Sequence, residues 1–302
     1  MAIDPERLGL RVKIFAPAKV NLFLHVGEKQ PSGYHDLMSL VAFARTGDAL
    51  SIAPADALSL TLAGPFGAVL AVDSDNLVLK AARALANAKG VREGAAITLT
   101  KNLPVASGIG GGSADAAACL RGLCKVWGIA VSQEELCAIG LSIGADVPVC
   151  VGCAPCWMEG RGERVTPLTR FPEIAAVLVN PGAAVPTGPV FGALRSRRGT
   201  GGQKPEGFAD FGALLSFLSG TCNDLETPAR ALAPAVGDVL DVLSRADGVR
   251  LARMSGSGAT CFALFDEEGT AARAAVALKA AHPAWWVAQT QLASCVLGAP
   301  CA

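Results

Sequence analysis

Charge is scarce in this 302-residue chain and neither sign prevails: 17 % of residues are charged, 26 Lys+Arg stand against 26 Asp+Glu, and the formal net charge is zero. A protein that holds nucleic acid by neutralising phosphates carries a basic excess, so this balance argues against that class. The low charge is not a mark of disorder, because 51 % of residues are hydrophobic and supply ample apolar surface for a core. The N-terminal stretch lacks the uninterrupted apolar run of an export signal, being broken by Asp4, Glu6, Arg7, Arg11 and Lys13, and export is not expected. The longest stretch without a formal charge, Ile174 to Leu194, contains Asn180, Pro181, Pro186 and Pro189 and reads as strand, turn and loop rather than a membrane helix. Also missing are a repeat of fixed period, a Gly-Lys-Ser/Thr phosphate loop and a G-x-G-x-x-G fingerprint, so neither a P-loop nor a dinucleotide fold applies.

The chain does contain ten cysteines, most of them alone inside apolar segments, as with Cys119, Cys124, Cys137, Cys261 and Cys295. That usage fits a reduced, cytoplasmic protein with thiols as small core residues. Cys150, Cys153 and Cys156 have the C-x2-C-x2-C spacing of iron–sulfur ligands, but no fourth cysteine follows to complete the set. Val147 to Val151 alternates like a strand, which would send Cys150 and Cys153 to opposite faces.

Periodicity predicts strands over 12–26, 41–53, 58–63 and 96–100 and helices over 76–89 and 114–127. Ser132-Gln-Glu-Glu135 is a capping box opening a helix through Ser142, with Gly144 placed to close it. Two strands, 147–151 and 156–159, precede Gly160-Arg-Gly-Glu-Arg, a natural boundary; then come a strand at 174–180, helices near 209–219 and 233–246, a strand pair around 254–265, a helix at 268–281 and a strand at 285–293. At about 150 residues per domain, two α+β units are expected, divided as 1–167 and 168–302. The glycine-rich, basic stretch 195–207 reads as a solvated loop.

Three segments carry chemistry. In Leu103 to Ala117, Gly108, Gly110, Gly111 and Gly112 precede a helix opened by Ser113 and Asp115; bare glycines let backbone N–H groups turn inward beside a helix N-terminus, a cradle for a polyphosphate. In Ala16 to Val26 a two-residue period puts Lys19, Asn21, Phe23 and His25 on one face, and a lysine projected inward from a strand calls for an anionic partner. Asp146, in Gly144-Ala-Asp-Val-Pro148, is either a turn former or a base, which spacing alone leaves open.

Pro17-Ala-Lys-Val-Asn-Leu22, the loop from Pro104 to Ala117, and Met254-Ser-Gly-Ser-Gly-Ala-Thr-Cys-Phe262 resemble, in order and spacing, the three motifs of the GHMP small-molecule kinases. The resemblance runs from about residue 12 to 265, and Gly33-Tyr-His-Asp36 with Asn223-Asp-Leu-Glu226 is similar to the branch of that family acting on a cytidine-diphosphate-linked erythritol. It implies an α+β, two-domain fold, with an N-terminal domain like domain 2 of ribosomal protein S5 and a ferredoxin-like C-terminal domain. It further implies transfer of the ATP γ-phosphate to the 2-hydroxyl of that alcohol, with Mg²⁺ accompanying ATP and Ser113 as a candidate ligand. By the family's motifs, Asp146 would be the general base and Lys19 would orient it and stabilise developing charge. Val105, Ala106, Ser107, Gly108, Ile109, Gly110, Gly111, Gly112, Ser113, Ala114 and Asp115 would hold the ATP phosphates, with Gly256 and Gly258 closing near them. Tyr34 and Phe191 would stack on the cytosine, His35 would bond its edge, and Asn21 and Thr187 would contact the substrate. A small-molecule partner is implied, with no nucleic acid and no membrane, for a monomer or weak homodimer. Gly27-Glu-Lys-Gln-Pro-Ser32 departs from the family's common Thr-Gly-Arg-Arg-Pro-Asp and loses arginines near the substrate entrance, and the 195–207 loop has no counterpart. The alternatives are a homoserine or mevalonate type of kinase, a silent nucleotide-binding regulator, and an iron–sulfur protein.

Overall fold

A computed structural model describes residues 11–293 apart from 32 and 74. Cys295 and residues Met1 to Leu10 of the N-terminal stretch lie outside the described residues. The chain opens with two long antiparallel strands, β1 (Val12–Lys29) and β2 (His35–Ala55), followed by β3 (Ser59–Ala63), helix α1 (Leu77–Lys89) and β4 (Gly94–Thr100). Helices α2 (Gly111–Trp127), α3 (Gln133–Ile143) and α4 (Val147–Gly152) follow, then β5 (Cys156–Gly160) and β6 (Arg164–Pro167). The second half runs β7 (Ile174–Asn180), α5 (Thr187–Gly192), α6 (Phe211–Ser219), α7 (Glu226–Leu232), α8 (Pro234–Leu243), β8 (Val249–Met254), β9 (Cys261–Phe265), α9 (Glu268–Ala281) and β10 (Trp286–Ala293).

The last four strands lie in the order β10-β7-β9-β8 with all neighbours antiparallel, which is the split βαββαβ arrangement of a ferredoxin-like unit. Leu292 and Ala293 of β10 also pair with Ala44 and Phe43 of β2, so one hydrogen-bonded sheet joins both halves. One apolar core packs α1 and α2 on β2 and β4, a second packs α7, α8 and α9 on β7 and β9, and a third around Phe23, Leu40, Trp157 and Phe262 is built from the alternate residues of β2, β7 and β9, on the opposite face of the sheet. Asn76 caps α1 by accepting from the Val78 N–H, and Ser132 caps α3 by accepting from the Glu135 N–H.

Three local expectations are corrected. Residues 147–152 are helical, not a strand: Pro148 at the first positions of α4 fits a helix start, where its missing N–H is not needed. Cys150 and Cys153 therefore share one core, and the Cys153 thiol donates to the Cys150 carbonyl at 2.8 Å. Second, α2 begins at Gly111 and its cap is Gly110 in the left-handed region, so Ser113 lies inside its first turn and Asp115 just beyond it. Third, β1 carries a bulge between Asn21 and Phe23, where two steps on β1 match one on β2. The extra residue inverts the alternation. Lys19 and Asn21 keep one face, while Phe23 turns into the apolar core with Val20 and Leu22, taking His25 against its ring at 4.7 Å. The bulge carbonyls, released from the ladder, accept from Arg253 Nη1 at Leu22 and from Ser39 Oγ at Phe23.

Residues 174–194 form strand, turn and the short helix α5, and among the described residues no helix is long and apolar enough to cross a membrane.

Candidate active site

The glycine segment turns sharply before α2. Ala106, Gly108 and Gly110, alternate residues, have φ of 51°, 76° and 62°, an alternation that directs successive N–H groups into one concavity at the N-terminus of a 17-residue helix. Space around it is used to the limit. A Cβ on Gly108 would lie 2.5 Å from the Ser255 carbonyl and 2.6 Å from that of Gly258, and a Cβ on Gly256 would lie 2.6 Å from the Gly108 carbonyl. The two glycine segments, with Ser255 147 positions from Gly108, are thus fitted backbone to backbone, with the Thr260 N–H donating to Ser107 O and Ser255 Oγ to Gly108 O. Strand β1 joins the same assembly through the Lys19 N–H, which donates to Ile109 O at 2.9 Å.

Lys19 leaves β1 buried, 4 % exposed at its side chain, and its Nζ donates to Asp146 Oδ2 at 2.7 Å; the Asp146 side chain is 36 % exposed. Asp146 precedes α4 yet makes no side-chain cap bond, consistent with its carboxylate being turned to Lys19. Asn21, next on the same face, donates from Nδ2 to Ser39 Oγ, while its buried Oδ1 has no protein partner. All of these line one cavity of about 1170 Å³.

Most of the residues expected at the site meet there. Lys19, Asn21, Tyr34, His35, Asp146, Thr187, Phe191 and Gly256 line the cavity, as do Val105, Ala106, Ser107, Gly108, Gly110, Gly111, Gly112, Ser113 and Asp115. Ile109 and Ala114 are fully buried in the cores, and Gly258 sits behind the wall against Met254; these three shape the cradle from behind and do not line it. His35 and Phe191 stack with centroids 5.6 Å apart, and His35 Nδ1 lies 3.1 Å from Gly27 O. Tyr34 is 57 % exposed, with the Arg161 guanidinium 5.4 Å from its ring centroid. Thr187, opening α5, shares a hydrogen bond with Ser257 in the second glycine segment.

Sequence reasoning missed a buried ionic cluster under the cradle. Lys101 Nζ donates to Asp48 Oδ2 and, at 2.8 Å, to Asp115 Oδ2, and it lies 2.9 Å from where a Cβ of Gly111 would be. Asp48 Oδ1 in turn accepts from the N–H groups of Asn102 and Leu103. Burial would lower the lysine, but Asp115 and Asp48 outweigh it and raise it, whereas burial raises Asp115 to about 8 against the pull of Lys101. The only local signal was two carboxylates and a lysine in apolar surroundings. The three cysteines of the 150–156 cluster are buried, burial pushing Cys156 up to about 12. Among the described residues no group of three His, Cys, Asp or Glu side chains is placed to hold a metal.

A phosphate cradle beside a lysine–aspartate pair, on an α+β frame ending in a ferredoxin-like unit, is the arrangement of an ATP-dependent small-molecule kinase. Residues 76–153 match the family described as GHMP kinases N terminal domain and residues 205–284 that described as GHMP kinases C terminal. The 4-diphosphocytidyl-2-C-methyl-D-erythritol kinase of Paramagnetospirillum magneticum is 51 % identical over 281 residues, 93 % of this chain and 98 % of that protein, and the one of Hyphomonas neptunium is 50 % identical over 286 residues, 92 % and 95 %. A crystal structure of 4-(cytidine 5'-diphospho)-2C-methyl-D-erythritol kinase superposes with a TM-score of 0.76 at 34 % identity, covering 93 % of this chain and all of that one. The chain belongs to the 4-diphosphocytidyl-2-C-methyl-D-erythritol kinase family of the GHMP kinases. Homoserine kinase from Cytophaga hutchinsonii, with a TM-score of 0.66 at 18 % identity, shares the fold.

Proposed function

We propose that this chain transfers the γ-phosphoryl group of ATP to the 2-hydroxyl of 4-diphosphocytidyl-2-C-methyl-D-erythritol. The observation that carries the reading is the 2.7 Å contact of Lys19 Nζ with Asp146 Oδ2 in the same cavity as the glycine cradle. Asp146 accepts the hydroxyl proton as the oxygen forms its bond to phosphorus, and the electron pair of the breaking P–O bond leaves with ADP. Lys19 fixes the carboxylate and offsets charge developing on the transferred group. The cradle from Val105 to Asp115, closed by Gly256 and backed by Gly258, holds the phosphates through backbone N–H groups. Mg²⁺ bound with ATP would supply further neutralisation of phosphate charge, and Ser113, which lines the cavity and whose hydroxyl is an oxygen ligand suited to a hard cation, would be the side chain to hold it.

At the other end of the cavity Tyr34 and Phe191 stack on the cytosine with His35 at its edge, and Asn21 Oδ1, unpartnered in the protein, accepts from a substrate hydroxyl, with Thr187 beside it. The division at 167/168 suits this reading, since the first unit then carries the cradle and the base while the second carries Thr187, Phe191 and the closing glycines. We place the enzyme in the cytoplasm, as a monomer or weak homodimer acting on a small molecule with no nucleic-acid or membrane partner. The test is ADP release with Mg·ATP and, in turn, the cytidine substrate, homoserine and mevalonate. Turnover with the cytidine substrate alone supports the reading; preference for another alcohol overturns it.

A further inference from the structure

The 195–207 segment does not float free of the cavity. It follows directly on α5, which carries Thr187 and Phe191, and is tied down along its length. The Arg198 N–H donates to Asp224 Oδ2, which also accepts from the Val26 N–H of β1, and the Arg198 side chain donates to Gly220 O. Thr200 is packed at Gly27, where an added Cβ would meet its methyl at 3.0 Å. Lys204 pairs with Glu159 at 2.8 Å, and the Trp157 indole N–H donates to Pro205 O at 2.9 Å. Arg198 and Lys204 thus hold the loop across the end of β1, and between them and α5 Arg197 lines the cavity.

Two other cations, Lys29 and Arg161, line the same cavity beside His35 and Tyr34, Lys29 being paired with His35 across the strands and Arg161 lying over the Tyr34 ring. Among the described residues none of these three has a carboxylate ion-pair partner. The acids nearby are engaged elsewhere, Asp36 accepting from Gln30 Nε2 and Glu163 from the backbone N–H of Arg161. Three cations that line one cavity without ion-pair partners repel one another and gain by sharing an anion. Arg161 stands over the Tyr34 ring, which puts a guanidinium beside any base stacked on that ring and so near the phosphates carried on the ribose of such a nucleotide. A guanidinium presents a fork of donors matched to phosphate oxygens.

We propose that the loop 195–207 supplies Arg197 to a diphosphate subsite completed by Lys29 and Arg161, so that this chain adds a guanidinium from a different segment to the one cation, Lys29, that the arginine-poor 27–32 stretch provides there. The inference rests on the cytidine-substrate reading above for its physiological ligand, but the subsite itself is a claim about a nucleoside diphosphate. The direct probe is therefore calorimetric binding of CDP against cytidine to the whole chain. CDP is expected to bind at least tenfold more tightly than cytidine, the Arg197→Met variant to lose most of that ratio while binding cytidine unchanged, and Arg197→Lys to keep part of it. Raising NaCl should weaken CDP binding less steeply in Arg197→Met than in the wild type. In steady-state kinetics the same variant should raise KM for the cytidine substrate about tenfold with KM for ATP within twofold. An unchanged CDP-to-cytidine ratio in a variant of unaltered melting temperature would overturn the subsite, as would a rise in KM for ATP of the same size. A wild-type protein that prefers CDP through Arg197 but does not turn over the cytidine substrate would overturn the functional reading and leave the subsite standing.

Discussion

Replacing Gly108 by alanine tests whether the two glycine segments must touch for the enzyme to work. The residue has φ of +76°, where a side chain costs about 1–2 kcal/mol. The new Cβ would also stand 2.5 Å from the Ser255 carbonyl and 2.8 Å from the Gly258 nitrogen, all backbone atoms that no rotamer change can move. Reaching an ordinary contact of about 3.4 Å requires the segments to part by roughly 0.9 Å, and a displacement of about 1 Å of positioning groups costs on the order of 100-fold in rate. Gly90 is the control: at φ of +65° it carries the same backbone strain, but a Cβ there meets nothing within 4 Å and the residue closes α1 away from the cavity. Both variants should melt lower, by roughly 2–8 °C at about 2–4 °C per kcal/mol. Only Gly108→Ala should lose about 100-fold in kcat/KM for ATP, read by coupled ADP release. If Gly108→Ala stays within threefold of Gly90→Ala, the contact between the segments is not what sets the cradle.

Three further outcomes follow from the buried groups and the aromatic platform. Lys101→Ala strands the Asp48 carboxylate without its cation and should cost about 3–5 kcal/mol in urea unfolding, with Asp115→Asn costing clearly less because burial raises the Asp115 carboxyl toward its neutral form, which an amide resembles. His25 is depressed below its ordinary 6.5 by burial, the Asp224 carboxylate pulling weakly the other way, and its Nε2 accepts from the Cys222 N–H. The unfolded chain therefore binds a proton that the folded one refuses, so stability should fall as pH drops below 6.5, and His25→Gln should flatten the denaturation midpoint across pH 5 to 7. Tyr34→Ala should raise KM for the cytidine substrate by roughly 5–150-fold, the range given by about 1–3 kcal/mol per stacked base, with kcat little changed; an unaltered KM removes the stacking role.

Helices and strands with a strong period were legible in the sequence, α3 down to its capping side chain Ser132, because caps are local chemistry. The errors fall where a longer-range effect decides. The β1 bulge is invisible to a two-residue period, since it depends on Arg253 and Ser39 being there to donate to the released carbonyls of Leu22 and Phe23. Residues 147–152 look like a strand by alternation, yet Asp146 and Pro148 start a helix that brings the carboxylate to Lys19, 127 positions away. The cradle was readable from its glycines, but not that Ala106 takes a positive φ, nor that α2 starts at Gly111. Asp48 and Lys101, 53 residues apart, had no motif at all; only the folded chain shows that they sit together under the cradle.

The most direct measurement is the proton-coupled ³¹P spectrum of the product formed from Mg·ATP and 4-diphosphocytidyl-2-C-methyl-D-erythritol, by the wild type and by Asp146→Asn. The 2-carbon bears a methyl group and no hydrogen, so a phosphate on its oxygen has no three-bond proton coupling. The wild type should give a new phosphomonoester singlet, and Asp146→Asn should form it about 10²–10⁴-fold more slowly. A doublet or triplet, marking transfer to a hydroxyl on a carbon that carries hydrogen, or a variant as fast as the wild type, would contradict the account.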